Sequence, residues 1–316
     1  MMDVKENVLG AIGNTPLVKL NKTGCKNIEI YVKLEYYNPG LSVKDRIAIG
    51  MLEEAERKAI IKPGDTIIGK TSGNTGIGLA IACAVKGYKF VAVISEGNSI
   101  ERQKMLRAMG ATVVLVPQLP GEKPGQISRI DNEAVERKTI ELMEELNAYR
   151  PNQYSNPMNW KVHEKTTGRE ILEQTGGRID AFVAYVGTGG TFIGISKALK
   201  NFNDNIKCYP VEPDVAPFLA GGKVITTRHR IQGGGHAVKP PYWYEELVDG
   251  YLAVSDEEAI KTARNMAKEE GIFTGFSGGA NVAASMKLDS SLDSGSVVVT
   301  ILPDTGLKYL STDLYE

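Results

Sequence analysis

Short apolar runs alternate with amphipathic stretches along most of the chain. The runs at residues 28–34, 66–68, 89–94 and 112–116 read as strands, and the stretches at 45–59, 76–86 and 100–109 carry helical spacing. Within 45–59, Ile47, Met51, Leu52 and Ala55 share one face, while Glu53, Glu54, Arg57 and Lys58 share the other. Further strands are expected at 181–186, 207–211 and 296–302, with helices near 166–175, 194–199, 256–271 and 280–287. Parallel strands need a long crossover, usually a helix, so this alternation predicts parallel sheets with helices on both faces. The expected fold class is α/β, with two doubly wound parallel-sheet, three-layer αβα domains. Residues 118–128 interrupt the pattern with Pro and Gly and read as a surface loop. An amphipathic helix at 133–146 follows and ends before Arg150-Pro151, where a domain junction is expected.

Composition narrows the function classes. A chain of 316 residues with 42% hydrophobic and 24% charged residues is that of a globular protein, and its length suggests two domains. The formal net charge of -1 argues against nucleic acid or a membrane surface as the main partner. No apolar run approaches the ~20 residues that cross a bilayer. The opening Met-Met-Asp-Val-Lys-Glu-Asn lacks the features of a signal peptide. Cys25, Cys83 and Cys208 form no CxxC pair, so a reduced, cytoplasmic protein without a metal is expected. With histidine only at positions 163, 229 and 236, a catalytic triad or a His-rich metal site is disfavoured. The reactive group is then expected to come from a cofactor.

Ligands of α/β sheets bind beyond the carboxyl ends of strands, so the loops there are the candidates. Lys44 follows a Pro-Gly turn and opens the 45–59 helix. Desolvated, it would be a nucleophilic amine; the plain alternative is an exposed surface lysine. Thr71-Ser72-Gly73-Asn74-Thr75-Gly76 joins a strand to a helix, where free N–H groups, hydroxyls and an amide favour an anion, or simply cap the helix. Residues 64–71 match the GxxxxGK[ST] phosphate loop, but the apolar strand 66–68 fills the space of the cradle, and the ATPase assignment is rejected. Gly187-Thr188-Gly189-Gly190-Thr191 also follows a strand. Its spacing mimics a dinucleotide fingerprint, with Glu212 as the ribose contact, yet Phe192 replaces the third glycine and two hydroxyls suit a single phosphate group better. Ser277, in Gly275-Phe-Ser-Gly-Gly, and the amides of Gln153-Tyr-Ser-Asn156-Pro are by default cap and turn residues.

Taken together, Gly13-Asn-Thr-Pro-Leu17, Ser42-Val-Lys-Asp-Arg46, the 71–76 loop, Ser99-Ile-Glu-Arg102, His163-Glu-Lys-Thr-Thr-Gly168, the 187–191 loop and Lys308-Tyr-Leu-Ser-Thr312 resemble the cysteine synthase / cystathionine β-synthase family of fold-type-II pyridoxal-phosphate enzymes. The resemblance implies pyridoxal 5'-phosphate as cofactor, held as an internal aldimine on Lys44, which later moves the substrate's α-proton. It implies Gly187, Thr188, Gly189, Gly190 and Thr191 on the cofactor phosphate, Asn74 on the ring hydroxyl and Ser277 on the pyridine nitrogen. Thr71, Ser72, Thr75 and Gln153 would hold the substrate carboxylate, with Gly233 close to the substrate. A neutral serine at the ring nitrogen makes a weak electron sink, which suits β-elimination to an aminoacrylate followed by addition of a nucleophile. The implied reaction is cysteine synthesis from O-acetylserine and sulfide. Alternatives within the chemistry are a cysteine-consuming, sulfide-releasing enzyme or an O-phosphoserine-dependent synthase; outside it stand a regulatory protein without turnover and an NAD-dependent oxidoreductase. The implied organisation is a larger cofactor-binding domain of residues 1–40 plus 152–316, a smaller mobile domain of 41–151, the cofactor in the cleft between them, and a homodimer. Lys70, Gly234, His236, Gly278 and a long 118–131 segment depart from the family pattern, and Lys70 could favour a phosphate leaving group.

Overall fold

The computed structural model describes residues 4–22, 25–71, 73–97, 100–118 and 129–316. In chain order the first strands are β1 (Leu17–Lys19) and β2 (Ile28–Leu34), followed by α1 (Lys44–Arg57), β3 (Thr66–Lys70), α2 (Asn74–Lys86) and β4 (Lys89–Ser95). Then come α3 (Ile100–Ala108), β5 (Thr112–Val116), α4 (Arg129–Glu145), α5 (Met158–Lys165), α6 (Thr167–Thr175) and β6 (Ala181–Tyr185). The chain continues through α7 (Gly190–Phe202), β7 (Lys207–Pro213), β8 (Leu252–Val254), α8 (Asp256–Asn265), α9 (Phe276–Met286) and β9 (Ser296–Leu302). It divides into two compact units, one of Met1–Ile12 and Lys44–Met158, the other of Gly13–Val43 and Asn159–Glu316.

In the smaller unit β3, β4 and β5 form a parallel sheet in that order. Ile67 and Tyr149 form a parallel bridge as well, so the chain returns to β3 after leaving by way of β5. That reversal of direction is a topological switch point, the place where such sheets leave a crevice at the strand ends. Six of the seven β4 residues are buried, as expected of a strand covered on both faces. The core joins Ala48 and Leu52 of α1 to Leu79 and Cys83 of α2 and Ile67 and Phe90 of the sheet, and Leu9 packs against it. Gly87 (φ 76°) and Gly110 (φ 85°) turn the chain at the ends of α2 and α3, where residues with a Cβ are disfavoured.

The larger unit carries six strands in the order β1-β2-β9-β6-β7-β8, with only β1 antiparallel to its neighbour. From β6 the chain moves outward to β7 and β8, then returns to place β9 beside β6, which makes the second switch point. Two apolar layers flank the sheet. One holds α8 and α9 through Ala259, Ala263, Ala280 and Ala284, and the other holds α7 through Phe192, Ile195 and Leu199.

Several expectations need correction. The 194–199 helix begins four residues earlier, at Gly190, so the glycine loop runs straight into its first turn. The 256–271 helix gives way after Asn265 to a π turn, Met266–Glu270, which Gly271 (φ 68°) ends. β1, β8 and α5 were not expected; three-residue strands and an eight-residue polar helix carry too little periodicity to register. The seam lies not at Arg150-Pro151 but at Met158, because Tyr149 pairs with β3 through Ile68 N and Thr66 O and carries the next residues into the smaller unit. The N-terminal segment also belongs there rather than with the larger unit, as Leu9 packs on its core. Of the expected 118–128 loop, residues 119–128 lie outside the described residues.

Candidate active site

The smaller unit gathers the first group of site residues at its switch point. Thr71 leaves β3, and α2 begins three residues later with Asn74 and Thr75, after Gly73 as N-cap. Gly76 is required there, since a Cβ would stand 2.8 Å from the Thr71 carbonyl oxygen. Two residues on, Gly78 lets α2 approach the start of α1: a Cβ would meet the Lys44 carbonyl oxygen and the Asp45 Cα at 3.1 Å. Lys44 thus opens α1 beside the first turns of α2. From the returning segment, Gln153 accepts a hydrogen bond at Oε1 from the Thr75 hydroxyl, at 2.7 Å. The Gln153 amide thereby stands beside Thr75, and an amide carries N–H donors of the kind an anion site uses. Ser72 lies outside the described residues, as does Ser99 of the 99–102 motif.

A cavity of about 200 Å³ is lined by Thr71, Thr75 and Gln153 and continues to Lys70, Glu136 and Arg150. Arg150 grips Glu136 with both terminal nitrogens, at 2.6 and 2.9 Å, and Lys70 Nζ lies 3.3 Å from the same carboxylate. The Arg150 hydrogen bond, ahead of the burial that opposes it, holds the Glu136 carboxyl below the usual carboxylate range. Lys70 also donates to the Asn132 carbonyl, at 3.2 Å. Its charge is therefore engaged inside the unit, which weakens the expectation that it receives a phosphate leaving group.

In the larger unit the loop after β6 is packed backbone to backbone. A Cβ on Gly187 would lie 2.3 Å from the Gly233 carbonyl oxygen, and one on Gly234 would lie 2.4 Å from that of Val186. Gly189 takes φ 84° and caps α7. Behind the loop stands α5, whose Asn159 donates from Nδ2 to Thr188 Oγ1 at 2.8 Å. His163, fully buried, sits 3.3 Å from Thr191 Oγ1 and 2.9 Å from Thr167 Oγ1. Both threonine hydroxyls of the cradle are therefore braced from a helix that sequence reasoning missed. The signal was present in Gly190 and Gly194: a Cβ on either would come within 2.1 Å of Asn159 Oδ1 or the Trp160 carbonyl oxygen. Glycines four apart on one helix face mark a close neighbour.

Ser277 is buried in the first turn of α9. Asn281, one turn on, ties that helix to the strand ends by accepting from Tyr185 N at 2.6 Å and donating to the Ile301 carbonyl at 2.7 Å. Ser277 and the 187–191 loop are thereby placed around the same β6–β9 switch point. Gly278 has a steric cause, as a Cβ would fall 2.1 Å from Thr274 Oγ1. Glu212 accepts from Leu219 N and Ala220 N, at 2.8 and 3.0 Å, and so organises its own loop rather than a ribose. The strand expected within the GxxxxGK[ST] match is β3 itself. Asn156 is a turn residue, bonded to the Pro151 carbonyl and to Met158 N.

These donors fit the phosphate of a small cofactor. The cradle offers the N–H groups opening a thirteen-residue helix and two braced hydroxyls, with a backbone approach too close for any side chain at Gly187. A buried hydroxyl at Ser277 suits a ring nitrogen that needs a neutral partner. Among the described residues no group of His, Cys, Asp and Glu could hold a metal ion, and no helix is long and apolar enough to cross a membrane.

A model of the family described as pyridoxal-phosphate dependent enzyme matches residues 8–304. A Staphylococcus aureus cysteine synthase is 47% identical over 312 residues, covering 98% of this chain and 97% of its own. A hydrogen sulfide-producing enzyme from Fusobacterium nucleatum superimposes with a TM-score of 0.90 at 40% identity, over 98% of this chain and 99% of that one. An O-acetylserine sulfhydrylase isoform from Entamoeba histolytica gives a TM-score of 0.90 at 38% identity, over 99% and 92%.

Proposed function

The chain belongs to the pyridoxal-phosphate-dependent enzymes, and on that premise we propose that it is a cysteine synthase, replacing the β-acetoxy group of O-acetylserine with sulfide and releasing acetate. When bound, pyridoxal phosphate supplies the electron sink that makes the substrate's α-carbon acidic and its β-substituent a leaving group. Lys44 would hold the cofactor covalently and carry the proton to and from the α-carbon. Gly187, Thr188, Gly189, Gly190 and Thr191 would hold the phosphate, with Asn74 on the ring hydroxyl and Ser277 on the ring nitrogen. Thr71, Ser72, Thr75 and Gln153 would bind the α-carboxylate, and Gly233 would line the substrate's path. The serine hydroxyl favours prompt β-elimination over a persistent carbanion, since it is too weak an acid to leave the ring nitrogen protonated.

The observation that carries the amino-acid substrate is the Thr75–Gln153 pair, which brings a hydroxyl and an amide together beside Thr71 at the switch point. A second assignment, sulfide release from cysteine, draws support from the Fusobacterium neighbour at 40% identity. The protein is further proposed to act as a cytoplasmic homodimer. Purified holoenzyme given O-acetylserine and sulfide should form cysteine, and Lys44→Ala should lose both this activity and the visible band of covalently held cofactor. Rapid sulfide release from cysteine with O-acetylserine inert would replace the first assignment with the second. Full activity in Lys44→Ala would overturn both.

A further inference from the structure

We propose that Glu136 is a positioning residue for substrate recognition, holding the two halves of the α-carboxylate site in register through one cation from each; this rests on the amino-acid site assigned above. The site is discontinuous. Thr71 and Thr75 follow β3, whereas Gln153 arrives on the segment returning past Tyr149. Backbone bonds join the segments at Thr66, Ile68 and Tyr149. Further along they are joined through side chains, directly from Thr75 to Gln153 and indirectly from Lys70 through Glu136 to Arg150. Lys70 is the neighbour of Thr71, and Arg150 stands three residues before Gln153. Between Arg150 and Gln153 the chain bends through Asn152 at φ 42°, a left-handed turn that asparagine tolerates and that is closed by bonds from Tyr154 N to its side chain and from Ser155 N and Asn156 N to its carbonyl. The cluster and the site share one cavity, so a shift of Arg150 is a shift of the cavity wall that carries Gln153.

The charges allow positioning to be told from simple attraction. Lys70, Arg150 and Glu136 together carry one net positive charge, and Glu136→Gln raises that to two. Attraction alone would then tighten binding of a carboxylate and lower the amino-acid KM. Positioning predicts the opposite, because the neutral amide no longer holds both cations.

The test compares wild-type holoenzyme with Glu136→Gln and Glu136→Asp, measuring KM for O-acetylserine and for sulfide, kcat, Tm and backbone hydrogen exchange. Glu136→Gln should raise the amino-acid KM about tenfold, roughly the worth of one charge-assisted hydrogen bond. The KM for sulfide and kcat should stay within about twofold, as expected when ground-state and transition-state binding fall together. Exchange should quicken at 149–154, and Glu136→Asp, which keeps the charge but shortens the reach, should fall in between. An amino-acid KM that is unchanged or lower in both variants overturns the proposal while leaving the site assignment intact. So does a common fall of Tm, kcat and affinity for both substrates, which is the mark of a purely structural carboxylate. A wild type that binds none of O-acetylserine, serine or cysteine overturns the site assignment and the proposal with it.

Discussion

Replacing Gly190 by alanine sets two effects of opposite sign against each other. In a helix interior alanine is the better former by about 0.8–1.0 kcal/mol, an upper bound for the first residue of α7, so propensity alone predicts a more stable helix. Sterics predict the reverse. The new Cβ would lie 2.1 Å from Asn159 Oδ1, 2.5 Å from its Cγ and 2.8 Å from its backbone oxygen. Asn159 is buried, so its side chain cannot simply swing into solvent, and moving it breaks the 2.8 Å hydrogen bond to Thr188, worth about 1 kcal/mol. The backbone contact would remain and would push α5 from α7, an overpacking cost of about 1–3 kcal/mol. Against a gain of at most about 1 kcal/mol, the net effect is a loss of about 1–3 kcal/mol, or about 2–12 °C in Tm for a unit of this size. Cofactor retention should fall as well, since Thr188 loses the group that aims its hydroxyl. Thermal unfolding by circular dichroism at saturating pyridoxal phosphate, with cofactor loss followed on dialysis, measures both effects. Gly190→Ala combined with Asn159→Ala relieves the two shorter contacts but not the backbone one, and should recover part of the stability and none of the retention. A single variant at least as stable as wild type, with its cofactor held equally well, would refute the reasoning.

Other predictions concern the frame around the site. Lys33 is fully buried, with Nζ bonded to Glu170 at 2.7 Å, to Gln174 Oε1 at 2.8 Å and to the Thr15 carbonyl at 2.6 Å. Lys33→Met should cost about 3–5 kcal/mol by stranding Glu170, and Lys33→Met with Glu170→Met should restore most of it, as read from urea unfolding. Burial pushes the thiols of Cys83 and Cys208 up to about 12 and about 11. At pH 8 neither should react with a thiol reagent before unfolding. Both hold their protons more tightly folded than unfolded, so stability should decline as pH rises past the ordinary thiol value of about 8.5, with the loss complete only above the folded values. Ser255→Ala removes the capping box that Ser255 and Glu258 form at α8, and should lower Tm by the equivalent of about 1 kcal/mol with activity unchanged.

Much of the frame was legible in the chain, for a physical reason. β2, β5 and β9 occur where the apolar runs placed them, and α2, α3 and α6 lie within two residues of expectation, since periodicity is a local property. The glycine loops were legible too, because a loop from strand to helix carries its own signature in residue types. Less could be read where the signal was short or shared. α5 has eight residues and one turn of apolar contact, and its Asn159 acts on Thr188, 29 positions away. In the sequence Lys70 reads as an extra cation, because its partner, Glu136, is 66 positions distant and also engaged by Arg150.

By itself the sequence determined the α/β alternation, the family and the chemical types at Lys44, the Thr71 loop, the Gly187 loop and Ser277. Each is written in a stretch of chain only a few residues long. The tertiary structure alone decided that Gln153 meets Thr75, that α5 braces the cradle, that Gly278 is imposed by Thr274, and that Glu136 joins Lys70 to Arg150. These are contacts between segments far apart in the chain, and no local pattern of polar and apolar residues specifies which distant partner closes them.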